Sequence, residues 1–157
     1  MDFIYNIPFL AGVLGWFVAE ILKMLVKGIR YNDWKSISWK DLFSSGGMPS
    51  SHSAAVCALT TAIFLTDGPL SSTFAIGAVL SAIVMYDASG VRHETGKQGK
   101  TLNMIIVDLF SSDPRYSDKA FKELVGHTKM QVLIGALVGI GIGVACYFGF
   151  GYLFTHL

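Results

Sequence analysis

Four apolar stretches, at about 8–29, 52–66, 69–91 and 130–155, alternate with polar segments along the chain. A membrane-spanning helix needs roughly 20 mostly apolar residues, and each stretch comes close to that length; the second is short and begins near Pro49. Between the second and third, TDGPLSS is a tight turn signal, so these two are expected to form an antiparallel helical pair. Residues 92–129 are too polar to span. Inside them, however, KTLNMIIVDLF places Leu102, Ile105, Ile106, Leu109 and Phe110 at i, i+3, i+4, i+7 and i+8, which gives one apolar helical face. In this context that face predicts an interfacial helix lying along the membrane or capping the bundle, stopped by SSDPRYS and Pro114.

Composition sharpens the class. Hydrophobic residues make up 52% of the 157 and charged residues only 15%, with a mean hydropathy of +0.52, which points to an all-α integral membrane protein. The expected architecture is a single membrane-embedded domain over 1–157, a bundle of about four transmembrane helices plus the interfacial amphipathic helix. The first stretch lacks a basic leader and a small-residue cleavage site and carries Glu20 and Lys23, so it is read as a retained span. Cys57 and Cys146 lie inside apolar runs and read as small buried hydrophobes. Trp34 and Trp39, in the polar loop after the first span, suit a membrane interface.

Charge placement gives orientation. All 12 Lys and Arg residues fall in 23–40 or 92–129, which four spans put on one side of the membrane. The positive-inside rule then predicts a multi-pass protein of the cell membrane with these segments in the cytoplasm and both termini outside. Basic residues that bind an anionic substrate would bias the same count. Gly135, Gly139 and Gly143, spaced by four, line one face of the last span for close helix contact. The simplest use is intramolecular packing; a homodimer through the same face is the other expectation. The bilayer is the expected environment, and nucleic acid is not an expected partner.

Three polar groups converge on the cytoplasmic face: Lys23 to Arg30 at the end of the first span, PSSH at the start of the second, and GHTKMQV at the start of the last. His52 and His127 both stand at the N-terminal edge of a helix running into the bilayer, where unpaired N–H groups and the positive dipole end favour an anion. Gly46, Gly47, Ser50 and Ser51 allow close backbone approach and offer hydroxyl donors. A phosphate group fits such a place.

GMPSSHSAA resembles the PSGH motif of the type 2 phosphatidic acid phosphatase superfamily, relatives of the vanadium haloperoxidases. The superfamily's first motif, K-x6-R-P, is matched by Lys23 and Arg30, with Tyr31 at the proline position. Its third, S-R-x5-H-x3-D followed in many members by V-x2-G-x3-G, is matched by His127, Val132, Gly135 and Gly139, but Gln131 replaces the aspartate and Phe121 the arginine. With GGMPSSHSA, YDASGVRHETGKQGKTLN and GHTKMQV in that order, the chain resembles a divergent, short bacterial branch of the superfamily. The resemblance implies a metal-independent phosphatase without a cofactor, in which His127 is the nucleophile and His52 the general acid. Lys23, Arg30, Ser50, Ser51 and nearby amides would hold the phosphoryl oxygens.

The two departures open further roles. Gln131 accepts a hydrogen bond but supplies no charge, so Glu20 and Asp87, ionisable groups in or beside spans, stand with it as histidine-orienting candidates. Glu20 also lies three residues from Lys23, the spacing of a helical ion pair. Arg92, Lys97 and Lys100 are candidate replacements for the missing arginine, against a reading as a basic patch on anionic lipid. His93 beside Glu94 is expected in a solvated loop, and His156 carries no role. The expected activity is hydrolysis of a phosphomonoester of a membrane lipid, with phosphatidylglycerophosphate or phosphatidic acid favoured for a cytoplasm-facing site. The competing expectation is a non-catalytic membrane protein that keeps the pocket for binding a lipid phosphate.

Overall fold

A computed structural model describes residues 6–32, 47–110 and 127–155. Their regular structure is wholly helical: α1 (Ile7–Tyr31), α2 (Ser51–Asp67), α3 (Ser72–Ser89), α4 (Val91–Phe110) and α5 (Lys129–Thr155). Helices start where the sequence supplies a side-chain acceptor for the unpaired amides of a first turn. Asn6 Oδ1 accepts from Phe9 N at 3.0 Å, with Pro8 in the same turn, and Ser71 Oγ accepts from Phe74 N at 3.1 Å. Ser50 does the same for α2.

Among the described residues, three helices are long and apolar enough to cross a membrane: Ile7–Arg30, Ser72–Ile106 and Lys129–Phe150. The second of these continues from α3 into α4 through Gly90, whose N–H closes on Tyr86 O at 2.8 Å while Glu94 N already bonds Gly90 O at 3.0 Å. Here the sequence expectation is corrected. VRHETGKQGK, read as a polar segment with a solvated His93–Glu94 loop, forms the first half of α4. Ten residues with Glu at i and Lys at i+3 and no proline propagate a helix directly from a preceding one. Pro114, expected to stop that helix, lies outside the described residues, as do Phe121, Trp34, Trp39 and His156.

At 17 residues, α2 is about 26 Å long, somewhat short of a hydrocarbon core of about 30 Å. It is nevertheless the hub: it packs most extensively on α5, then on α1 and α3. Small residues make this closeness feasible. Ala11, Ala58, Ala62 and Cys146 form the buried cluster, and both cysteines are free and buried. A Cβ on Gly15 would fall 2.8 Å from Ala58 Cβ, and one on Gly143 would fall 2.7 Å from Ala58 O. Cβ atoms on Gly135 and Gly139 would strike the carbonyls of Ser50 and Ala54.

The glycine face of the last span therefore packs on α2 of the same chain, the simpler of the two uses expected for it. Between membrane helices, where lipid is as apolar as any side chain, such small-residue contact and buried hydrogen bonds supply the association. One such clasp joins α2 to α3: Thr60 Oγ1 and Ser81 Oγ are 2.9 Å apart, and Ser81 Oγ donates to Val56 O at 3.1 Å. Large apolar side chains point outward instead, among them Phe17, Ile29, Ile76, Ile83, Leu133 and Phe148, the arrangement a lipid solvent favours.

Candidate functional site

The starts of α2 and α5 meet the end of α3. Ser50 N donates to Gln131 O at 3.0 Å, and His127 N donates to Ala88 O at 3.1 Å, so backbone bonds fix where both histidines stand. Ser50 caps α2: its Oγ accepts from Ser53 N at 3.4 Å and from Ser53 Oγ at 3.1 Å. Ser50, Ser51 and Ser53 are fully buried, whereas His52 in the same turn is exposed. His127 is buried. The two imidazoles face each other across 6.5 Å between ring centroids, with planes inclined at 57°.

Gln131 has two functions in this geometry. Its Oε1 accepts from Thr128 N at 2.9 Å, and Gln131 N donates to Thr128 Oγ1 at 3.3 Å, a reciprocal capping box that starts α5. The same Oε1 lies 3.4 Å from His127 Nδ1. Because the Thr128 amide requires an oxygen acceptor, Gln131 presents oxygen to the ring, and a hydrogen bond across this 3.4 Å contact assigns the proton to Nδ1. Nε2 is then the nitrogen with a lone pair. The T-x-x-Q signature was present in the sequence; reading Gln131 as an uncharged histidine-orienting acceptor in the aspartate position passed over its capping use.

Burial pushes the His127 pKa below the ordinary 6.5; Lys23 and His52 push it the same way, against the opposing hydrogen bond to Gln131 and contact with the Gly47 backbone. The neutral ring is thus favoured in the folded protein. Between the folded value and 6.5 the unfolded chain binds more protons, so this group's contribution to stability is present above 6.5 and lost as pH falls through that window. In Gln131→Glu the cap is kept and a carboxylate faces Nδ1–H, which favours the charged ring. The pH at which His127 loses its proton, followed by the imidazole NMR resonances, is expected to rise in this variant. An unmoved titration would separate Gln131 from His127.

Lys23, buried on α1, holds Glu20 through both carboxylate oxygens at 2.9 and 3.0 Å. Glu20 is therefore placed as the partner of Lys23, the helical ion pair that its spacing allowed. Gly47, at φ +96°, lies against the Lys23 stem: a Cβ there would come within 2.9 Å of Lys23 Cγ. Only glycine adopts this backbone readily, and the strand of chain entering α2 can thereby close over the lysine.

The other candidates lie further out. Arg30 is exposed in the last turn of α1, two turns beyond Lys23 on the same stripe. Asp87 is half-buried one residue before Ala88, the carbonyl that holds His127. Lys97 pairs with Glu94 at 2.8 Å on an exposed face of α4, and Lys100 is exposed on the same helix. That helix packs chiefly on α3, so the structure does not bring Lys97 to the histidine pair. The Arg92 and His93 side chains lie outside the described residues. Among the described residues, no three His, Cys, Asp or Glu side chains group as a metal-ligand set.

Three comparisons bear on this arrangement. The family model described as the Divergent PAP2 family matches residues 4–142. The uncharacterized membrane protein YuiD of Bacillus subtilis (strain 168) is 36% identical over 150 residues, covering 89% of this chain and 93% of that protein. No solved structure matches. The matched residues include both histidines, Lys23, the serine turn and Gln131, and the all-helical fold with three apolar helices agrees with the membrane-protein relative. This chain is a phosphatase-related membrane protein, and it belongs to the Divergent PAP2 family.

Proposed function

We propose that the chain is a membrane-embedded phosphatase that hydrolyses a phosphomonoester of a membrane lipid, with phosphatidic acid or phosphatidylglycerophosphate as favoured substrates. The observation that carries this reading is the pair of imidazoles 6.5 Å apart, one buried with its Nδ1 against Gln131 and the other exposed at a helix N-terminus.

His127 Nε2 attacks phosphorus, the N–P bond forms as the bond to the lipid oxygen breaks, and that oxygen takes a proton from the His52 imidazolium. His52, now neutral, then accepts a proton from water as the water oxygen attacks the phosphohistidine. The N–P bond breaks, inorganic phosphate leaves, and both rings return to their starting forms. Lys23, Ser51 and the first-turn amides of α2 hold the phosphoryl oxygens, where fixed donors in a partly dry site stabilise developing charge, with Arg30 exposed two turns beyond Lys23. No metal or cofactor enters these steps.

In the membrane, α1, α2, α3 and α5 are read as four crossings, with α4 lying at the interface, both termini outside and the histidine pair on the cytoplasmic side. The second reading, a binding protein without turnover, is favoured by one observation: Gln131 Oε1 already accepts from the Thr128 amide at 2.9 Å and stands at the longer distance of 3.4 Å from the histidine. Purified protein in detergent micelles is expected to release inorganic phosphate from phosphatidic acid or phosphatidylglycerophosphate. Saturable binding of these lipids with no phosphate released from either would establish the second reading in its place.

A further inference from the structure

A groove of about 320 Å³ runs between α1 and α2, lined by Phe9, Gly12 and Trp16 from α1 and Ala55, Val56 and Leu59 from α2. Its position follows from two helical stripes. On α2, residues 55, 56 and 59 follow His52 at i+3, i+4 and i+7, so they share its face. On α1, Phe9 and Trp16 precede Lys23 by 14 and 7 residues, spacings that return to nearly the same azimuth. The helices run antiparallel, since the Lys23 stem lies against Gly47 while Gly12 faces Leu59 and Ala55. Both stripes therefore carry their charged or ionisable groups at one end and apolar walls beyond. The groove opens about one turn from His52 and reaches Leu59, roughly 10 Å from His52 along the axis.

We infer that this groove receives an acyl chain of the same lipid whose phosphate sits at His52 and His127. The inference rests on the phosphate reading of the histidine pair. A phosphate-headed amphiphile matches the trough: the exposed His52 imidazole beyond its mouth, apolar walls along its length. The bilayer is as apolar as the groove, so seating the chain there adds little hydrophobic free energy. What it adds is register, because a chain held at fixed depth sets phosphorus at the height of His127, and positioning of that kind governs kcat/KM.

Trp16 lines the groove and reports on it. In a variant with Trp34→Phe and Trp39→Phe, Trp16 is the one fluorophore left of three tryptophans. Phosphatidic acid brominated on its acyl chain is expected to quench it saturably in detergent micelles, with quenching reversed by unbrominated phosphatidic acid. Equally brominated phosphatidylcholine is expected to need at least tenfold more lipid. Ala55→Phe, which fills the groove from α2, is expected to abolish the saturable quenching and to lower kcat/KM for phosphatidic acid about tenfold, leaving turnover of soluble p-nitrophenyl phosphate unchanged. Gly12→Ala, whose added methyl meets Leu59 Cβ at 3.4 Å, is the milder variant and is expected to weaken the same quenching in part.

Equal quenching by the two lipids, or an Ala55→Phe protein with native quenching and kcat/KM, would overturn the inference. The two levels fail separately. Phosphate-dependent quenching without turnover of any phosphomonoester removes the enzyme reading and keeps the groove, whereas turnover without phosphate-dependent quenching does the reverse.

Discussion

His127→Ala is expected to reduce phosphate release from phosphatidic acid to the level of the protein-free reaction, with the folded protein intact. The imidazole supplies the attacking nitrogen, so nothing in the variant forms the N–P bond. Its backbone bond to Ala88 O does not depend on the side chain, and the thermal midpoint in detergent should stay within a few degrees of the parent protein. His52→Ala is expected to lose about 100- to 10,000-fold on the lipid substrate, the usual contribution of a positioned acid. Its loss should be far smaller on p-nitrophenyl phosphate, whose leaving oxygen departs without a proton. This leaving-group dependence separates an acid from a residue that merely shapes the site. Equal losses on both substrates would assign His52 to binding.

Glu20→Leu carries the second large effect, and it is an effect on stability. Glu20 and Lys23 are both buried and bonded through two oxygens. Removing one partner leaves the other charge buried without compensation, which costs about 3–5 kcal/mol, whereas replacing both by apolar residues of similar volume is often neutral. Glu20→Leu is thus expected to melt well below the parent protein. Glu20→Leu with Lys23→Met should recover most of that stability while remaining inactive, because the lysine that holds the phosphoryl group is gone. Recovery of activity in the double variant would exclude Lys23 from the site.

Much of this architecture was legible in the sequence because bilayer thickness fixes span length. Apolar stretches at 8–29, 52–66, 69–91 and 130–155 correspond to helices at Ile7–Tyr31, Ser51–Asp67, Ser72–Ser89 and Lys129–Thr155. The glycines at spacing four announced a close contact, though spacing alone does not say which helix fills it. The start of α4 was less legible: ten polar residues lack the hydrophobic periodicity that marks an amphipathic helix, and they are helical as a continuation of α3.

At the site, spacing of motifs brought His52, His127 and Lys23 together, since the end of α1 and the starts of α2 and α5 lie at one end of the bundle. Glu20 was ambiguous between orienting a histidine and pairing with Lys23, and only side-chain packing decides between two partners of similar reach. Gln131 was legible as an acceptor able to orient His127, whereas its second use as the cap of α5, visible as T-x-x-Q, was hidden by comparison with an aspartate. The apolar groove depends on the relative rotation of α1 and α2. That rotation is set by Gly12 and Gly15 lying on Leu59 and Ala58, a register that neither helix specifies alone.

The central claim is that phosphorus passes through His127. Protein mixed with phosphatidic acid labelled in its phosphate and quenched within the first turnover should carry an acid-labile, base-stable phosphoryl group, located to His127 by peptide mapping and absent from His127→Ala. Phosphate release by the parent protein with no label on His127 at any quench time, or with an unchanged rate in His127→Ala, would contradict it.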